Sequence, residues 1–283
     1  MRTKAFGATG IELPVIGQGT WDLPESGAAV NEAKRAIRRG LELGMTHIDT
    51  AEMYGSGAVE RILGETLADV PRDSFFIASK VLPGNASYSA TIAACERSLK
   101  RLKLEYLDLY YLHWPSHVPL EETMRALAEL VREGKTRFAG ISNFDAGEML
   151  DAKRHLANVP LTANQILYHL KERGPEHRLI RTAEENDIAV VAYTPFGRGQ
   201  FPREAAKSDG VLGRVAAKHN STPREVILAF LTRHRNVFTI PKASSVEHVE
   251  QNARAGDLVL DARDIEEIDA AFPLGRERPL ATL

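Results

Sequence analysis

Short apolar runs alternate along this chain with longer segments whose apolar residues recur at helical spacing. The runs fall at 16–20, 47–49, 75–80, 107–113, 137–142, 162–168, 189–193 and 237–241, eight in all. Between them Val30, Ala33, Ile37 and Leu41 share one helical face, as do Ile92, Cys95, Leu99 and Leu102. Leu120, Met124, Leu127 and Val131 form a further stripe, with Gly134 marking a helix end. Thr222-Pro223-Arg224-Glu225 combines an N-cap, a proline at N1 and a glutamate at N3, a strong helix start. A switch between periods of two and 3.6 is the signature of βα units. Eight of them predict an α/β fold, a (β/α)8 TIM barrel spanning residues 1–283 as one domain. A doubly wound sheet is the alternative, but its fingerprint at Gly17-Gln18-Gly19 lacks a third glycine, because position 22 is Asp22. Segments 4–6 and 12–14 around Thr9-Gly10 read as a short N-terminal β-hairpin that plugs the barrel floor.

Composition narrows the function classes. Lys plus Arg is 36 and Asp plus Glu 38, so no basic excess points to nucleic acid or anionic lipid. No apolar run approaches the roughly 20 residues of a membrane span, and Met1 to Thr9 has no signal core, so a cytoplasmic protein is expected. The one cysteine, Cys95, excludes an intrachain disulfide and lies on an apolar helical stripe, where it reads as a buried hydrophobe.

In a barrel of this kind chemistry sits at the C-terminal mouth, so polar residues ending apolar runs are the ones to inspect. Asp49, Lys80 and His113 end three successive runs, and Tyr54 follows Asp49 by five residues. A phenol titrates near 10, too high for efficient proton exchange at neutrality. An ammonium beside it favours the phenolate, so Lys80 is expected to lower the Tyr54 value, with Asp49 holding Lys80 charged. His113 orients a carbonyl oxygen or relays the proton. A donor at the oxygen helps only if something attacks the carbon. No Ser, Cys or metal set is placed to do so, which leaves hydride from a nicotinamide. Ser142-Asn143 and Gln165 suit a carboxamide, Tyr193 an aromatic ring, and Lys242 and Ser244 a phosphate near the helix carrying His248 and Asn252.

Together these residues resemble the aldo-keto reductase superfamily, in its bacterial-type, short-loop form, from Gly17 to Asn252. The motifs are Gly19-Thr20-Trp21, His47-Ile48-Asp49-Thr50-Ala51 with Tyr54-Gly55, Lys80, Leu112-His113-Trp114-Pro115, Gly140-Ile141-Ser142-Asn143-Phe144, Gln165, Tyr193 and Ile240-Pro241-Lys242. The resemblance implies NAD(P)H-dependent reduction of aldehydes and ketones, with Tyr54 as acid beside Asp49, Lys80 and His113. It implies cofactor contacts from Gly19, Thr20, Trp21, Asp49, Ser142, Asn143, Gln165, Tyr193, Thr194 and Pro195, and from Lys242, Ala243, Ser244, His248, Gln251 and Asn252. Trp21, Tyr54, His113 and Trp114 would form the substrate pocket, with no metal and a monomeric chain. His248, Ala243 and Gln251 depart from the Arg, Ser and Glu that relatives often carry near the adenosine. NADPH is therefore the expected cofactor, with NADH also admitted. A non-catalytic regulatory subunit is the second reading. A metal-dependent barrel hydrolase is the third, and it would want a His-x-His pair where Gly19-Thr20-Trp21 stands.

Overall fold

The computed structural model describes residues 1–282. The chain opens with strands β1 (Thr3–Ala5) and β2 (Glu12–Pro14), paired antiparallel with Lys4 opposite Leu13. Eight parallel strands follow: β3 (Gln18–Gly19), β4 (His47–Asp49), β5 (Phe76–Val81), β6 (Leu107–Leu112), β7 (Thr136–Ser142), β8 (Leu161–Leu167), β9 (Ala189–Tyr193) and β10 (Val237–Thr239). Each pairs with its neighbour in chain order. Parallel bridges Ile16–Thr239 and Gly19–Lys242 join the first strand to the last and close the ring. A Cβ on Gly19 would lie 2.4 Å from the carbonyl oxygen of Ile240, so only glycine lets the backbones meet at this closure. Around the ring run α1 (Ala28–Glu42), α2 (Ala58–Thr66), α3 (Tyr88–Leu102), α4 (Leu120–Arg132), α5 (Ala146–His155) and α6 (Leu179–Glu185), then α7 (Val211–Lys218), α8 (Pro223–Leu231), α9 (Val246–Ala255) and α10 (Ala262–Ala271). The expected barrel and hairpin are present.

Strand boundaries moved by a residue or two where backbone geometry, not hydrophobicity, ends the pairing. The first apolar run, 16–20, is regular strand only at Gln18–Gly19, and the last stops at Thr239, short of Pro241. The hairpin's first strand begins at Thr3, which frees Phe6 to turn inward. That ring is fully buried and meets His47, Phe76 and Phe238 edge-on at centroid distances of 5.5, 5.4 and 5.0 Å. It belongs to the apolar core inside the barrel, and Lys4 Nζ donates to the carbonyls of Thr232 and His234 beside it. The hairpin therefore floors the barrel, as expected. The helix start at Thr222 is also as expected: its hydroxyl accepts from the Glu225 amide and the Glu225 carboxylate from the Thr222 amide.

The strands are buried on both faces, as parallel strands covered by helices must be. Side chains alternate, and one set fills the barrel: Phe76 and Ala78 on β5, Leu109 and Tyr111 on β6, Ala163 on β8, Val191 on β9. The next inward position on each strand, two residues on, is polar: Lys80, His113, Gln165 and Tyr193. On β4 the same step leads from His47 to Asp49. Apolar layers thus support a polar layer at the C-terminal mouth. No helix among the described residues is long and apolar enough to cross a membrane.

Candidate active site

Asp49 and Lys80 sit side by side because β4 and β5 are neighbours in near register, with Asp49 opposite Ala78. Lys80 Nζ is buried and donates to Asp49 Oδ2 at 2.7 Å and to the Thr50 carbonyl at 2.8 Å. Its third neighbour is the Tyr54 hydroxyl, at 3.2 Å. The other oxygen of Asp49 accepts from Gln165 Nε2 at 2.7 Å, across the barrel from β8. The Tyr54 ring lies 5.9 Å from the His113 ring, which in turn rests 4.6 Å from Trp114. The four ionisable side chains singled out at the strand ends are thus brought together.

On the opposite wall Ser142 Oγ donates to the Gln165 carbonyl at 2.9 Å, and Asn143 Nδ2 donates to the His113 carbonyl at 3.0 Å. Asn143 takes a left-handed backbone, φ 65°, which turns its amide inward, and the Tyr193 hydroxyl donates to its Oδ1 at 2.8 Å. Asp49, Tyr54, His113, Ser142, Asn143, Gln165 and Tyr193 line a cavity of about 320 Å³, and Lys80 is buried behind them. Gly19, Thr20, Trp21, Trp114, Thr194, Pro195 and Lys242 line it too. Ala243, Ser244, His248, Gln251 and Asn252 do not; they lie beyond Lys242, at and along α9. The hydroxyl that caps α9 is Ser245, one residue past the serine named from sequence, and it accepts from the His248 amide. His248 and Lys242 are exposed, whereas Asn252 is buried.

Burial dominates the electrostatics. It pulls the Asp49 carboxyl up and the Lys80 ammonium down, and each partner opposes the shift of the other. Burial also raises the Tyr54 phenol well above its ordinary value, reinforced by the Asp49 carboxylate and by Tyr193. The expectation that Lys80 lowers the phenol is therefore corrected. Desolvation of a phenolate in this pocket outweighs the neighbouring charge, and Tyr54 keeps its proton at neutral pH. His113 is pushed down to about 2 by burial and by Lys80, so its imidazole is neutral. His47, two residues before Asp49 on the same face, is pushed down to about 3 and packs as an apolar ring over Phe6. Cys95 is fully buried on α3, its thiol pushed up to about 12, as its apolar stripe required.

Several lining residues have no signal in the sequence pattern. Met53, Phe196 and Arg198 reach the cavity from irregular loops, and the Arg198 guanidinium lies 4.2 Å above the Trp21 ring, spanning from the β9 loop to the β3 loop. The C-terminal tail comes close as well, for Pro279 and Leu280 share a surface cleft with Trp114 and Asn143.

The donor set fits a nicotinamide. Amides of Asn143 and Gln165 and the Ser142 hydroxyl offer the donors and acceptors a carboxamide needs, beside the Tyr193 ring. Lys242 at the rim, before a capped ten-residue helix, offers charge to phosphates. No group of His, Cys, Asp or Glu among the described residues could hold a metal ion.

Comparison with known proteins agrees with this geometry. Residues 15–272 match the model of the aldo/keto reductase family. The chain is 38% identical over 263 residues to the methylglyoxal reductase YeaE of Escherichia coli (strain K12), covering 93% of this chain and 92% of that protein. A crystal structure of an aldo/keto reductase from Klebsiella pneumoniae in complex with NADP and acetate superposes with a TM-score of 0.91 at 37% identity, covering 99% of both chains. Another from the same organism, in complex with NADPH, gives 0.91 at 36% identity over 100% of both.

Proposed function

The chain belongs to the aldo/keto reductase family, and from that premise we propose that it reduces small aldehydes and ketones with NADPH, using Tyr54 as the proton donor. NADPH, when bound, supplies the hydride to the carbonyl carbon. The Tyr54 hydroxyl gives its proton to the carbonyl oxygen, so the product is the alcohol and the residue left behind is a phenolate. Lys80 Nζ stands 3.2 Å from that oxygen to stabilise the charge, and Asp49 holds Lys80 in place at 2.7 Å. This arrangement, a protonated phenol with a buried ammonium behind it at the wall of a cavity, carries the reading. A phenol raised by burial suits the reductive direction, which needs a donor that has kept its proton. Neutral His113 offers an N–H to the same oxygen without adding charge.

Ser142, Asn143 and Gln165 hold the carboxamide in this reading, and Tyr193 stacks on its ring. Gly19, Thr20, Thr194 and Pro195 contact the cofactor where it crosses the mouth. Lys242, Ala243, Ser244, His248, Gln251 and Asn252 face its adenosine half, where Lys242 favours NADPH over NADH. Trp21 and Trp114, with Met53 and Phe196, form an apolar rim around the carbonyl. An α-dicarbonyl such as methylglyoxal, the substrate in the name of the Escherichia coli relative, is small enough for the cavity. The same reading takes residues 1–283 as one catalytic domain, monomeric and cytoplasmic, acting on small molecules.

The test is NADPH consumption by the purified protein over a panel containing methylglyoxal and 4-nitrobenzaldehyde. Turnover that a chelator leaves unchanged is expected. Cofactor binding without turnover on any carbonyl would favour a regulatory subunit instead.

A further inference from the structure

Two residues before Tyr54 stands a buried carboxylate that the chemistry above does not use. Glu52 is only 6% exposed in its side chain. Its Oε1 accepts from the Leu82 amide at 2.8 Å and from Asn85 Nδ2 at 2.9 Å. Both donors belong to the loop that leaves β5 after Val81, one residue past Lys80. The Glu52 amide donates to the Lys80 carbonyl at 3.3 Å, so side chain and backbone both bind the segment carrying Tyr54 to the segment carrying Lys80. Arg97, half-exposed and 3.7 Å from Oε2, is its only charged neighbour among the described ion pairs.

The backbone beyond Tyr54 shows why such a tie is needed. Gly55, Ser56 and Gly57 follow with φ of 54°, 50° and 86°, three left-handed residues in succession. Serine pays a steric penalty in that region and holds it only when the surroundings over-determine it. Without an anchor on the near side, this turn would relax and carry the Tyr54 hydroxyl away from Lys80 Nζ.

We propose that Glu52 is a positioning residue: by accepting from Leu82 and Asn85 it locks the Tyr54 segment onto the β5 loop and so sets the Tyr54–Lys80 separation. The proposal rests on Tyr54 being the proton donor. It is distinct from a structural role because it acts on turnover through one side chain.

A double-mutant cycle between Glu52→Ala and Tyr54→Phe, with methylglyoxal and NADPH, tests it. Glu52→Ala should lower kcat about 10- to 100-fold, the scale of a misplacement near 1 Å, with KM and NADPH affinity nearly unchanged. Glu52→Gln keeps an accepting oxygen and should stay within about threefold of the parent kcat. In the Tyr54→Phe background Glu52→Ala should have less than about a twofold further effect, because the group it positions is gone. Asn85→Ala removes one donor from the other side and should show a smaller loss with the same non-additivity. It carries the test if Glu52→Ala does not fold. Multiplicative losses, parental kcat in Glu52→Ala, or a Gln variant as impaired as the Ala variant would each overturn the proposal. Full turnover in Tyr54→Phe alone is a separate result, which removes the proton-donor assignment and this proposal with it.

Discussion

Lys80→Met deletes a buried ammonium that serves three oxygens, and its consequences can be worked out from those contacts. The Asp49 carboxylate keeps the donated hydrogen bond from the Gln165 amide at 2.7 Å but loses its ammonium partner. Removing one partner of a buried ion pair costs about 3–5 kcal/mol, because the other charge stays desolvated. The cost depends on pH, with a definite sign. Burial already raises Asp49, and Lys80 opposes that rise both by charge and by its hydrogen bond. In the variant the rise is larger, so the folded protein binds a proton that the unfolded chain releases near 3.9. A raised carboxyl contributes stability that is fully present below the unfolded value and is lost as pH climbs through the folded one. The variant should therefore lose stability relative to the parent by up to about 1.4 kcal/mol per pH unit across that window. Urea unfolding at pH 5, 6.5 and 8 measures it, and the deficit should be smaller at pH 5 than at pH 8. Adding Asn at the other position, as Lys80→Met/Asp49→Asn, removes the stranded charge and should recover most of the stability at pH 8. Turnover should stay depressed by about 10² or more in both variants, since the phenolate has lost its cation. A deficit that is independent of pH and untouched by Asp49→Asn would refute the buried-pair reasoning. Recovered turnover in the double variant would refute the role given to Lys80.

Other outcomes follow from single contacts. Phe6→Ala opens a cavity at the barrel floor, where three aromatic rings now meet it, and should cost about 3–5 kcal/mol in urea unfolding with little change in KM. Cys95 should not react with a thiol reagent at pH 8 in the native protein and should react once in urea, since its thiol is fully buried and pushed up to about 12. Lys242→Ala should weaken NADPH by about tenfold in a fluorescence titration and leave NADH within about twofold, because only the 2′-phosphate adds an anion for it.

The polar layer at the barrel mouth was legible in the sequence for a geometric reason. Asp49, Lys80, His113 and Tyr193 each end an apolar run and Gln165 lies within one, and a period of two carries Lys80, His113, Gln165 and Tyr193 onto the face that Ala78, Tyr111, Ala163 and Val191 fill with apolar side chains. The N-terminal hairpin and the capping box at Thr222 were readable from local patterns, whereas the inward turn of Phe6 came only from the structure. Tyr54 is different. It stands in a loop with left-handed residues after it, and spacing alone did not say where its hydroxyl points. Nor did pattern reveal Met53, Phe196 or Arg198, which reach the cavity because of how loops cross the mouth. The sign of the Tyr54 shift was missed because charge is visible in a sequence and desolvation is not. Ser244 and Ser245 are adjacent, and only the helix geometry distinguishes the one that caps α9.

The central claim is that Tyr54 donates the proton while the cofactor is held elsewhere, and one variant measured two ways tests it most directly. For Tyr54→Phe, turnover of methylglyoxal should fall by about 10² to 10⁴, the range of general acid catalysis, while NADPH affinity by fluorescence titration stays within about twofold of the parent. Turnover close to the parent's, or a fall in NADPH affinity large enough to account for the lost rate, would contradict it.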